Sequence, residues 1–140
     1  MLTGNRRRRT ASARKATAAV ECALVLPVIF LLAFSTLEIC SALYLRQSAT
    51  TIAFEGARVG VRGKTTRQQI IDECETLLKQ RGIAQGQVAV SPSDFSKIKS
   101  LDPITVTVRA PCRGNTWFLW NLFQNEDIQV SVTMAREYGL

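Results

Sequence analysis

Residues 20–37 read VECALVLPVIFLLAFSTL, beginning at Val20 and ending at Leu37, with Glu21 as the single charge. At ~1.5 Å rise per residue, a helix through this stretch covers roughly 27 Å, close to the ~30 Å hydrocarbon core of a bilayer. Eleven of the 18 residues are Val, Ile, Leu or Phe. Each favours insertion by roughly 0.3–0.6 kcal/mol at the bilayer centre, so the run gains about 3–7 kcal/mol as an upper figure. A central carboxylate would cost about 2.5–3.5 kcal/mol, but Glu21 and Glu38 flank the run, roughly 25 Å apart along a helix. The run exceeds the ~7–15 apolar residues of a cleaved secretory signal, and no A-x-A site follows it. Eighteen such residues are also more than a small domain could enclose. Pro27 is tolerated in a membrane helix and bends it modestly. The lipid bilayer is therefore the first expected partner.

Charge supplies the orientation. The chain of 140 residues has a formal charge of +7, and Arg6, Arg7, Arg8, Arg9, Arg14 and Lys15 all precede the first acid. From residue 16 onward, 12 cations face 11 acids, leaving +1. The basicity is an N-terminal block beside an apolar run, which reads as a cytoplasmic topology signal. A nucleic-acid-binding arm is the rival reading, which that adjacency disfavours. The predicted arrangement is N-in and C-out, with one pass and an extracytoplasmic head.

The sequence holds no histidine, which removes Ser-His-Asp and Cys-His nucleophile arrangements, the HExxH motif and most imidazole metal sites. No catalytic, cofactor-binding or metal-ligating set is expected, and the chain reads as a non-enzyme. The four cysteines, Cys22, Cys40, Cys74 and Cys112, form no CxxC pair. The first two fall in or beside the apolar run as small hydrophobic residues. Cys74 and Cys112 fall in the exported part, where a disulfide between them and two free thiols are both open.

The segment Lys15-Ala16-Thr17-Ala18-Ala19-Val20-Glu21 continues into CALVLP, and is followed by Glu38, the stretch Ala42-Leu43-Tyr44, the pair Arg46-Gln47, and Glu55-Gly56-Ala57-Arg58. Over residues 14–62 this pattern resembles a TadE-like protein, a pseudopilin of the tight-adherence (Flp) pilus system. The resemblance implies other pilin subunits and the pilus assembly machinery as partners. It also implies a prepilin peptidase that cuts the leader between Ala16 and Thr17, placing Glu21 five residues into the mature chain. Ala16 stands where glycine is commonest before such a cut. Glu21 is then an assembly carboxylate that offsets the N-terminal amine of a neighbouring subunit. From residue types alone, solvation of Glu21 in the headgroups is equally open. Glu38 reads as solvated at the lipid surface, with pairing to Arg46 or a helix contact as alternatives.

Beyond the span, Ala42, Leu45, Ala49, Ile52 and Ala53 recur at helical spacing, so the same helix is expected to continue to about residue 61, with Gly56, Gly60 and Gly63 marking its end. Thr65 or Thr66 caps a second helix that stops before Gly82, with Ile70, Ile71, Cys74, Leu77 and Leu78 as its apolar stripe. Strands are predicted over residues 87–91, 104–109 and 128–134 from their alternation of apolar and polar side chains. The expected fold is α+β: a long N-terminal transmembrane helix, then a small pilin-like head with one helix covering about three antiparallel strands. The expected divisions are a basic cytoplasmic leader (1–16), the transmembrane and extended helix (17–62) and the head (63–140). Trp117, Phe118, Trp120 and Phe123 form a short aromatic segment that reads either as a core plug or as a docking patch.

Three functional classes follow. The leading one is a structural or assembly component of a Flp-type pilus or secretion system in a bacterial inner membrane, its head periplasmic. The second is an unprocessed single-pass module that binds a partner through its head. The third is a membrane-tethered regulator whose Arg-rich tail meets DNA or anionic lipid. Nucleic-acid stacking on the aromatic segment is disfavoured because basic residues are not interleaved with the rings.

Overall fold

The computed structural model describes residues 4–62, 65–93, 95, 101–116 and 125–136, with side chains described from residue 14. Its elements are helix α1 (Gly4–Val61), helix α2 (Arg67–Gln80), and strands β1 (Gln87–Ser91), β2 (Pro103–Pro111) and β3 (Asp127–Ala135). By internal packing the chain divides into two units, Met1–Leu37 and Glu38–Leu140. The predicted α+β class and all five predicted elements are present.

In the first unit, α1 is apolar over residues 20–37 and exposes nearly all of that stretch. Its polar side chains turn back on the helix: Ser35 Oγ donates to the Leu31 carbonyl and Thr36 Oγ1 to the Leu32 carbonyl, both at 2.8 Å. Such back-bonding satisfies the hydroxyls without a partner outside the helix.

The second unit is a three-stranded antiparallel sheet in the order β1-β2-β3. Alternation along β2 sorts its faces: Ile104, Val106, Val108 and Ala110 are buried, while Thr105 and Thr107 turn to the wet side. On that side the hydroxyls pair across the strands, Thr105 with Thr133 and Thr107 with Ser131, each at 2.8 Å, and Arg109 pairs with Asp127. Helix α2 begins with a capping box in which Gln69 N–H donates to Thr66 Oγ1 and Thr66 N–H donates to Gln69 Oε1. It ends at Arg81 and Gly82, whose φ of +67° suits glycine. Ile70, Cys74 and Leu78 are its buried stripe, with Ile71 and Leu77 half-buried beside them.

The expected end of α1 at about residue 61 is met: the helix runs through Gly56 and Gly60 to Val61; Gly63 lies outside the described residues. One expectation is corrected: the sheet is not covered by a single helix. Ala49, Ile52, Ala53 and Ala57 of α1 are fully buried in the same core as Val106 and Val108. A Cβ added to Gly56 would collide with Cys74 Sγ and meet Val106 Cγ1 at 3.3 Å, and one added to Gly60 would meet Ile70 Cδ1 at 3.0 Å. The glycines mark close helix packing, not a helix stop. Leu45 clusters with Ala110 and Cys112, Gly56 lies over Val106 and Gly60 over Ile104. The second part of α1 therefore runs antiparallel to β2.

One polar clamp closes the other end of the head. Asn115 Oδ1 accepts from Ala84 N–H at 2.7 Å, while its Nδ2 donates to the Ala84 and Pro111 carbonyls at 2.8 Å. The loop before β1 is thereby tied to the end of β2.

Gly56→Ala is expected to destabilise the head by about 1–3 kcal/mol, the usual cost of overpacking a close-packed core. Combining it with Cys74→Ala should recover part of that loss, because the colliding sulfur is removed. Chemical denaturation of the two single variants and the double variant measures the coupling; strictly additive losses would refute the close contact.

Candidate membrane and assembly surface

The first surface is the exposed run itself. Val20, Leu24, Val28, Phe30 and Leu32 are each more than half exposed, and the apolar window contains no buried residue. A helix apolar on every side needs either a protein interior or lipid around it, and no interior encloses this one. Residues 14–61 contain one helix long and apolar enough to cross a membrane once. Phe30 and Phe34 stack on each other with centroids 6.2 Å apart.

Ala16, Thr17 and Glu21 all lie on α1 in exposed positions ahead of or at the start of this run. Arg14 and Lys15 are exposed one turn earlier. Glu38 differs from expectation: it is 2% exposed, so the solvated reading fails, and it stands as the first residue of the compact head. The Glu55-Gly56-Ala57-Arg58 segment also acquires a physical meaning. Gly56 and Ala57 face the core, while Glu55 and Arg58 pair on the outside at 3.6 Å. That motif is a packing device flanked by a solvent-exposed ion pair.

A second surface is an open groove of about 440 Å³ within the head, with Ile39, Ala42, Leu43 and Arg46 on one wall and Glu126, Asp127 and Ile128 on the other. No sequence signal joins these two segments, because their proximity comes from the antiparallel run of α1 over β2. A third is the outer edge of β3. Arg136 and Glu126 use their backbone groups toward β2 and its flanks, so the odd-numbered residues from Asp127 to Ala135 point their backbone groups outward. That edge carries Asp127 as its sole charge.

The cysteines are not paired. Cys74 and Cys112 are both free and buried, in separate core clusters, so the disulfide reading gives way to two thiols. Cys74 Sγ donates a weak bond to the Ile52 carbonyl at 3.8 Å. Burial, aided by the charge of Glu73, pushes the Cys74 thiol from its ordinary 9.0 up to about 11. Burial, then Asp127 and Glu126, also raises Cys112. Both stay protonated and inert at neutral pH. Trp117, Phe118, Trp120 and Phe123 lie outside the described residues.

A family model for TadE-like proteins matches residues 16–58. This is the resemblance read from the sequence, and it starts at the residue before the expected cut. Proteins of the TadE-like family are pilus-associated structural components. The TadE-like segment lies wholly within α1 and spans both the exposed apolar run and the small-residue face that packs into the head. Strands β1 to β3 and helix α2 fall outside it. No curated protein and no solved structure gives a significant match.

A buried thiol with a raised value stabilises the fold fully below the unfolded value near 9 and loses that contribution as pH rises through about 11. The denaturation midpoint of the protein is expected to fall across that window. In Cys74→Ala the fall should be visibly smaller; an unchanged pH profile would remove Cys74 as its source.

Proposed function

We propose that this protein is a minor pilin or pseudopilin of a tight-adherence (Flp-type) pilus or secretion system, anchored once in a bacterial inner membrane. One observation carries the reading: the TadE-like match coincides with a single helix that is apolar on all sides over residues 20–37 and becomes core of the head after Glu38. A subunit built this way offers lipid, or neighbouring helices, an apolar helical surface on every side of residues 20–37. The basic block before the run argues for N-in orientation and a periplasmic head.

On this reading a prepilin peptidase cuts between Ala16 and Thr17. The removed leader carries all six of the early cations, so cleavage releases the chain from its strongest cytoplasmic retention signal. Glu21 then lies four residues from the new amine, exposed at the start of the apolar run. A carboxylate at that depth has little water to screen it. An opposite charge from a neighbouring subunit's terminus is therefore its favoured counterpart as subunits assemble. The protein acts by insertion, processing and helix packing, with no catalytic step of its own.

N-terminal sequencing of protein extracted from membranes should return a mature chain beginning at Thr17. An intact Arg-rich terminus would instead favour an unprocessed anchored binding module. Glu21→Ala should insert normally yet fail to support piliation, as scored by filament counts in a strain lacking the native copy; wild-type piliation would remove the assembly role of Glu21.

A further inference from the structure

We propose that the groove between α1 and the start of β3 binds the headgroup of an outer-leaflet phospholipid bearing both a phosphate and a primary amine, with Arg46 receiving the phosphate and Glu126 the ammonium. This rests on the membrane-anchored reading with the head outside.

The depth is set by helix geometry. The 18 residues from Val20 to Leu37 cover roughly 27 Å at ~1.5 Å each, close to the ~30 Å hydrocarbon core, which leaves Glu38 and Ile39 at its edge. Ala42 and Leu43 then fall in the headgroup layer, and Arg46 stands roughly 10 Å beyond Ile39 along the helix. Leu37, Ile39, Leu43 and Tyr44 are all exposed, from 47% to 66%. Ile39 and Leu43, the first exposed large apolar residues after the span, form part of one wall of the groove. A tyrosine at this level is what the interfacial belt of membrane proteins favours.

Charge selects the occupant. Asp127 is engaged by Arg109 across the wet face of the sheet. The side chains of Arg46 and Glu126 make no hydrogen bond or ion pair among the described residues. One uncommitted cation and one uncommitted anion therefore face the same groove, from opposite walls. A headgroup with phosphate alone would meet the carboxylates of Glu126 and Asp127 at a penalty. A purely apolar occupant, such as a neighbouring helix, would leave both charges desolvated and unpaired, which is costly. A zwitterion with a primary amine satisfies both, its acyl chains lying along Ile39 and Leu43. The groove would then fix the height and tilt at which the head leaves the bilayer.

The test uses the full-length protein in nanodiscs containing equal amounts of phosphatidylethanolamine and phosphatidylglycerol, released and weighed by native mass spectrometry. Phosphatidylethanolamine is expected to be retained over phosphatidylglycerol by about three- to fivefold, the ratio a partly exposed ion pair supports. Glu126→Gln, a surface change, should bring the ratio to about one, whereas Arg46→Gln, which removes the contact to the phosphate that both lipids carry, should lower the retention of both and leave the preference in place. Equal retention by the wild-type protein, as a groove filled by polypeptide would give, overturns the proposal. So does a Glu126→Gln variant that keeps the wild-type preference, or an Arg46→Gln variant that retains both lipids as the wild type does. Recovery in the disc fraction separates the two levels of inference: protein embedded in discs without lipid preference sinks the headgroup site alone, whereas protein absent from discs sinks the anchored reading with it.

Discussion

The close approach of α1 to α2 and β2 around Gly56 is the contact on which the head depends. A glycine there lets Cys74 Sγ and Val106 sit where a methyl group would otherwise be. Ala49, Ala53 and Ala57 extend the same narrow face, and each is fully buried. Small residues give up side-chain burial but bring backbones together, so Ile52, Ile70, Ile104, Val106 and Val108 can meet in one core. In a unit this small, the second part of α1 is not a stalk to which the head is attached. It is one of the two helical layers that close the sheet.

That arrangement makes one element answer to two solvents. Up to Leu37 the apolar side chains of α1 are exposed, and from Glu38 the buried positions include Glu38, Ser48 and a row of small residues. The residue classes invert at the junction because the surroundings do. Lipid rewards large apolar side chains on every face, whereas the head rewards small ones on one face and polar ones on the other. A substitution on α1 is therefore read by whichever environment surrounds that turn.

Much of this was legible in the sequence. The span followed from the length and composition of residues 20–37, and α2 from Thr66, Gln69 and the stripe Ile70, Cys74 and Leu78. The strands followed from clean alternation, which β2 reproduces in its burial from Ile104 to Ala110. What failed was tertiary. Glycine in a helix carries an entropic cost, so Gly56 and Gly60 read only as signs of the helix end that does follow at Val61; the presence of Cys74 and Ile70 opposite them shows why that cost is accepted. Glu38 read as a surface carboxylate because nothing in its neighbours signals enclosure, yet it is buried in the compact unit. The row Ala49, Ala53, Gly56, Ala57 and Gly60 was the available signal, since small residues at that spacing mark a face packed at short range. The groove had no such signal, joining residues some 80 positions apart.

The TadE-like match ends at Arg58, before any strand begins. The portion that resembles other proteins is thus the rod, including the side of it that the sheet must fit. A head built on that rod is constrained along one face only: its inner surface must accept Ala49, Ala53, Gly56 and Ala57. Its wet face, carrying Thr105, Thr107, Ser131 and Thr133, places no demand on that helix, since those hydroxyls satisfy one another across the sheet. Physical demand is therefore unequal across the molecule. The helix must suit both its apolar surroundings and the core, while the outer sheet surface need only remain hydrated. A sequence signature confined to α1 is what that inequality leads one to find.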